Sequence, residues 1–319
     1  MLDIYYTNEN NTLVKVEDDI LEKESYDFNN KWVNMTNPTD REIEEIARLT
    51  NTPEDILKAP LDDEERARIE KEDDTTLVLV DIPVLEEEEG YYSYSTLPLG
   101  IVNKGDYTIT VCLKETVILR DFVRGRVKEF RTYKKTKFLL QILYNISTKF
   151  LAYLKQIDKA SARIQNELHK STRNKELIQM LDLENSLVYF STSLKANDLI
   201  ITKLTRSNIV KKYEEDNDLL EDVAIENQQA VEMCNIYRDI LSGTMDAYAS
   251  VISNNQNKVM KTLTVITMMI SIPSLVASIF GMNTAVPGQG NILAFWLVVV
   301  FSFILSIIAG IILFKSNKF

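Results

Sequence analysis

The chain has 319 residues, with 47 acidic against 36 basic side chains and a net charge of -11 at pH 7. That balance excludes nucleic acid as a main partner, because phosphate binding needs clustered Lys and Arg to displace counterions. The charge is also unevenly spread. Asp246 is the last carboxylate; Lys258, Lys261, Lys315 and Lys318 put +4 on the tail after it, so the body carries -15.

Residues 1–132 read as a mixed α/β region. "LDIYYT" and "TLVKVE", separated by "NENN", predict a hairpin. "NPTDREIEEIARLTNTPEDIL" predicts short helices, with Thr39 or Asp40 and Thr52 as N-caps and Pro53 at a first helical position. Four β-rich runs follow: "TTLVLVDIPVL", "STLPLGIVNK", "DYTITVCLK" and "TVILRDFV", the middle two joined at "NKGD". The acidic runs Asp62–Glu65, Glu70–Asp74 and Glu86–Glu89 read as solvated loops or helix starts. Cys112 and Cys234 stand at no metal or redox spacing and read as small buried hydrophobes in a reduced, cytosolic body.

After Thr132 the chain turns helical. Leu139, Leu143, Ile146, Phe150, Tyr153, Ile157, Ala160 and Ile164 alternate steps of four and three, the spacing of one helix face. "HKSTRNKE" predicts a turn capped by Ser171, Thr172 or Asn174, and a second seam runs through Leu183, Leu187, Phe190, Leu194, Asn197, Ile201 and Leu204. These seams define a long-helix pair over 133–216. A third, from Leu220 through Val223, Asn227, Ala230, Cys234, Tyr237, Leu241, Thr244 and Tyr248 to Val251, leads into an apolar tail without a break. A helix over 217–280 would be on the order of 95 Å long and needs packing partners, supplied by the upstream helices and by self-association.

No charged side chain occurs from Thr262 to Phe314. Thr262–Phe280 and Asn291–Phe314 each have the roughly 20 residues that cross a bilayer as helix. The lysines outside both ends predict cytoplasmic N- and C-termini, with 281–291 as an extracytoplasmic turn, 292–314 as the second span and 315–319 as a cytosolic basic tail. Trp296 suits an interfacial anchor. The competing reading, two buried core helices, requires that both be covered by other elements.

Within the first span Thr264, Thr267, Ser271, Ser274 and Ser278 share one helix face, which extends back through Met260 to Asn257. Hydroxyls are tolerated in lipid by bonding carbonyls four residues back. Such a stripe serves either close helix packing or a water-lined path between several copies. Pro273 bends the helix and frees the carbonyl of Met269 under either reading. With no carboxylate, Cys or His beyond Asp246, an ion on this path meets only amides, hydroxyls and backbone carbonyls, which suits a hard cation such as Mg²⁺ that keeps its water shell. Asn283, at the outer end, is placed to hydrogen-bond such waters. His169 is the only histidine, and no phosphate loop, nucleophile elbow or ligand cluster points to an enzyme or a bound cofactor.

"IPSLVASIFGMN", together with "NKVMKTLTVIT", the second span and the long preceding helix, closely resembles the CorA magnesium and cobalt channel family. The resemblance implies a funnel-shaped homopentamer in the cell (inner) membrane. An α+β cytosolic domain is followed in each copy by long helices and a two-span transmembrane hairpin. It further implies that Gly281, Met282 and Asn283 form a selectivity ring, and that Asn257, Met260, Leu263, Ser274 and Ser278 line the pore, alongside Thr267 and Ser271 of the stripe. Asp222 and Asp246 match acidic positions where the family binds regulatory Mg²⁺ between subunits. Mg²⁺ is then both cargo and regulator, with Co²⁺ and Ni²⁺ as further cargo; a carrier preferring Zn²⁺ and a membrane-anchored scaffold are the alternatives. Two departures stand out: Ser271 replaces a bulky apolar residue usual in the family, and "TAVPGQG" lacks the acidic residue many members carry there.

Overall fold

The computed structural model describes residues 1–17, 25–88, 91–168, 174–207, 213–283, 288 and 290–315. The expectations for His169, Ser171 and Thr172, for Lys318 and for the turn at 284–287 lie outside them. Two compact units are present, Met1–Gly243 and Thr244–Phe319.

In the first unit, β1 (Leu2–Thr7) and β2 (Leu13–Lys15) form the predicted hairpin. β3 (Lys31–Thr36), β4 (Arg68–Glu72), β5 (Thr75–Glu88), β6 (Tyr91–Lys104) and β7 (Tyr107–Cys112) complete a seven-stranded sheet in the order β2-β1-β3-β7-β6-β5-β4. Only the β3–β7 pairing is parallel among these strands. Alternation along β3 sets two faces. Val33 and Met35 join Ile4, Ile109 and Val111 in a core closed by Ile43, Ile46, Ile56 and Leu57 of α1 (Asp40–Thr50) and α2 (Glu54–Lys58). Trp32 points the other way into rings from Phe122, Phe130 and Phe138, and its indole N–H donates to Thr110 Oγ1 at 2.8 Å.

Thr39 is the N-cap of α1, with a reciprocal capping box to Glu42. The second cap differs from expectation. Pro53, not Thr52, holds the N-cap position of α2, while the Thr52 hydroxyl accepts a bond from Thr50 Oγ1 at 2.9 Å. "TVILRDFV" is also corrected: it is helix α3 (Val117–Val123), not a strand. Thr116 caps it by accepting from the Ile118 N–H, and Ile118, Leu119 and Phe122 form a one-sided apolar face that overrides β propensity. The acidic runs also need correcting in part. Glu70–Glu72 lies in β4 and Glu86–Glu88 at the end of β5, so these stretches are charged strand, as suits an edge.

α4 (Lys135–Leu168) and α5 (Asn174–Arg206) bury the predicted seams, only Ala160 being half-buried. Both helices pack on the sheet. Phe190 meets Tyr94 of β6 and Phe150 of α4 edge-on. α6 (Asn217–Phe280) is one helix of 64 residues. Its seam is buried at Val223, Asn227, Ala230, Cys234 and Leu241, where Cys234 Sγ donates to the Leu187 carbonyl of α5. Burial pushes the Cys234 thiol up to about 11 and raises the Cys112 thiol too, so both are inert apolar groups.

In the second unit, the C-terminal part of α6 and α7 (Ile292–Lys315) are long and apolar enough to cross a membrane, with mean hydropathies of 2.1 and 3.0. Both stretches leave most of their apolar side chains exposed, unlike the covered core helices of a soluble protein.

Candidate functional site

The site is built on the first span. At about 100° per residue, Val265, Met269, Ile272 and Val276 share one face and are sheltered, and Met269 on that face meets Ser306 and Gly310 of α7. Met260, Thr267, Ser271, Ser274 and Ser278 lie on the opposite face, with Thr264 and Asn257 at its edge, and all are exposed. Leu263 flanks them, 55% exposed. The contact with α7 at Met269 therefore leaves the stripe uncovered.

Three of the five stripe hydroxyls make the back-bonds that the sequence predicts. Thr264 donates to the Met260 carbonyl, Thr267 to Leu263 and Ser271 to Thr267, each at 2.8 Å. Hydroxyls bonded in this way keep lone pairs that water can reach, so the face can wet.

α6 ends at Phe280. The Gly281 N–H donates to Ala277 O at 2.9 Å, and the Met282 N–H reaches Ile279 O at 3.4 Å. A Cβ on Gly281 would sit 3.3 Å from the Ala277 carbonyl, tight against the last turn. Met282 and Asn283 follow, both exposed. The chain re-enters through Gly288 and Gly290, at φ 87° and 86°, and Asn291 caps α7 by accepting the Leu293 N–H at 3.0 Å. Between the helix ends lies an apolar cleft of about 770 Å³ bordered by Pro273, Phe280, Met282, Phe295 and Phe303. Trp296 is exposed and packs edge-on with Phe295.

Asp222 and Asp246 are exposed on α6, far apart along it. Among the described residues no three His, Cys, Asp or Glu side chains gather to hold a metal.

Sequence reasoning missed the second span's contribution. Ser302, Ser306 and Gly310 are the buried residues of α7 and follow steps of four. Ser306 Oγ donates to the Met269 carbonyl at 2.5 Å, and a Cβ on Gly310 would come within 2.7 Å of Met269 Sδ. Small residues at this spacing let two helix backbones approach closely, and that spacing in an apolar helix was the available signal.

Comparison with known proteins follows this geometry. The family described as "CorA-like Mg2+ transporter protein" matches residues 29–315. The cobalt/magnesium transport protein CorA of Methanocaldococcus jannaschii is 26% identical over 282 residues, covering 85% of this chain and 86% of that protein. The corresponding protein of Thermotoga maritima is 26% identical over 167 residues, 51% of this chain and 48% of its own length. The complete structure of the CorA magnesium transporter from Methanocaldococcus jannaschii superposes with a TM-score of 0.81 at 24% identity, covering 100% of this chain and 99% of that one. With the family match running from β3 to the end of α7, the chain belongs to the CorA-like Mg²⁺ transporter family.

Proposed function

We propose that several copies of this chain, five by family resemblance, form a divalent-cation channel that carries Mg²⁺, and also Co²⁺ and Ni²⁺, down the membrane potential. In this reading α6 and α7 cross the cell membrane as a hairpin with both termini cytoplasmic. Each α6 turns its stripe to a common axis, so that Asn257, Met260, Leu263, Thr267, Ser271, Ser274 and Ser278 line the path. Gly281, Met282 and Asn283 ring its outer mouth. The observation that carries the reading is the opposition of faces: α7 occupies the Met269 side, while the hydroxyl stripe is left open on the other.

The chemistry of the path follows from its donors. Amide and hydroxyl oxygens bind the water shell of a hard cation and hold it weakly enough for release. A Zn²⁺-preferring carrier is disfavoured, because no Cys or His occurs after Asp246. Asp222 and Asp246 are the candidates for cytosolic Mg²⁺ sensing, with the remaining donors supplied across an interface between copies; both are exposed.

The test is Asn283→Ala in purified protein reconstituted into liposomes with a Mg²⁺-sensitive dye inside. Influx is expected to be lost while the oligomer stays intact by size-exclusion chromatography. Influx at the wild-type rate would reject the selectivity ring, and absence of influx in the wild type itself would favour a scaffold.

A further inference from the structure

Pro273 has no N–H, so the Met269 carbonyl, four residues earlier in α6, loses its intrahelical donor. In a span that faces lipid, an unpaired carbonyl is costly because no water replaces the missing bond. The chain supplies a donor from outside the helix: Ser306 Oγ of α7, 3% exposed, donates to the Met269 carbonyl oxygen at 2.5 Å. One turn further on, Gly310 leaves room for the Met269 side chain. Backbone and side chain of the same residue are thus held by α7, at the first span's only proline.

We propose that Ser306 is a positioning residue for transport: its hydroxyl completes the backbone at Pro273 and thereby fixes the rotation at which α6 presents Ser271, Ser274 and Ser278 to the ion path. The proposal rests on the channel reading for its consequence, and on the Met269–Pro273–Ser306 geometry for its mechanism. A small change of rotation at residue 269 swings every stripe position beyond it, because the helix is rigid between carbonyls that remain bonded. α7 thereby holds a determinant of the path without touching the ion.

The proposal makes Ser306 necessary only while Pro273 is present. Restoring an N–H with Pro273→Ala gives the Met269 carbonyl its own intrahelical donor and makes the hydroxyl dispensable. The experiment compares wild type, Ser306→Ala, Ser306→Cys, Pro273→Ala and Pro273→Ala/Ser306→Ala as full-length protein, by Mg²⁺ influx into liposomes and by amide hydrogen exchange around residue 273 in detergent. Expected are an influx loss of about tenfold for Ser306→Ala, an intermediate loss for the weaker donor of Ser306→Cys, and no further loss when Ser306→Ala is added to Pro273→Ala. Exchange is expected to speed up for Ser306→Ala in the proline background alone.

Equal losses in both backgrounds would reduce Ser306 to a packing residue and overturn the proposal, as would unchanged influx and exchange in Ser306→Ala. If Pro273→Ala does not assemble, equal loss in Ser306→Ala and Ser306→Cys overturns it instead. Should the wild type carry no Mg²⁺, the channel reading fails by itself, and the exchange pattern still decides whether the hydroxyl secures the backbone at Pro273.

Discussion

Asn197 of α5 pairs with the backbone of Asp81 in β5 through both ends of its side-chain amide. Its Oδ1 accepts the Asp81 N–H at 2.9 Å, and its Nδ2 donates to the Asp81 carbonyl at 2.8 Å. β4 begins at Arg68 opposite Leu79, so two residues further along β5 no β4 residue lies beside Asp81. The amide substitutes for that strand and locks a long helix onto the sheet. Asn197→Leu should therefore destabilise the chain by about 2 to 4 kcal/mol, since it strands two backbone groups that water no longer reaches. Denaturant or thermal unfolding of the detergent-solubilised protein reads this, and an unchanged midpoint would mean that water replaces the amide.

The same residue offers a pH test. Burial raises the Asp81 carboxyl above its ordinary value of 3.8, only partly offset by a hydrogen bond to Ser193. A raised carboxyl binds its proton more tightly in the folded state, so the fold is increasingly disfavoured as pH climbs from 3.8 to the folded value, carries the full penalty above it and none below 3.8. Asp81→Asn should accordingly raise the melting temperature at pH 7, and the gain should shrink steadily as pH is lowered toward 4. A gain independent of pH would show that the ionised carboxylate is not what costs stability.

The legible parts of this chain were those with a strong period. The seams of α4 and α5 emerged because buried Leu, Ile and Phe recur against polar neighbours, and even Asn197 fell into place before its partner was known. β3 went unread because a central strand with Asn34 looks too polar; Asn34 is buried there and accepts from the Thr110 hydroxyl at 3.0 Å, a long-range bond no local pattern reveals. β4 was hidden by its own charges, which protect a sheet edge. In the tail, the hydroxyl stripe stood out against apolar neighbours, and Pro273 announced a freed carbonyl at Met269. The donor stayed invisible, because Ser306 has meaning only once α7 is docked.

The close approach of the two spans can be challenged at Gly310. A Cβ there would lie 2.7 Å from Met269 Sδ and 3.0 Å from its Cγ. Gly310→Ala should be tolerated with a small loss, since the thioether end can swing aside. Gly310→Val adds two methyls against the same helix and should cost about 1 to 3 kcal/mol through overpacking. Thermal stability of the assembled protein in detergent separates the two, and equal stability of both variants would indicate that the helices part freely at this level.

The stripe itself separates a path from a packing seam. Ser271 is exposed on the face opposite α7, its hydroxyl bonded to the Thr267 carbonyl. In the channel reading, Ser271→Leu would replace a wettable surface by a branched apolar side chain at a position repeated in every copy around the axis. If the added dehydration raises the barrier by only about 1.4 kcal/mol, Mg²⁺ influx falls about tenfold. Phe301→Leu, on an exposed part of α7, should leave influx near the wild-type rate. In a scaffold whose helices merely pack through small residues, Ser271→Leu would instead weaken assembly, so oligomer size must be measured on the same samples. Loss of influx with the assembly intact supports the path; loss of assembly at Ser271, with no conductance in the wild type, supports the seam.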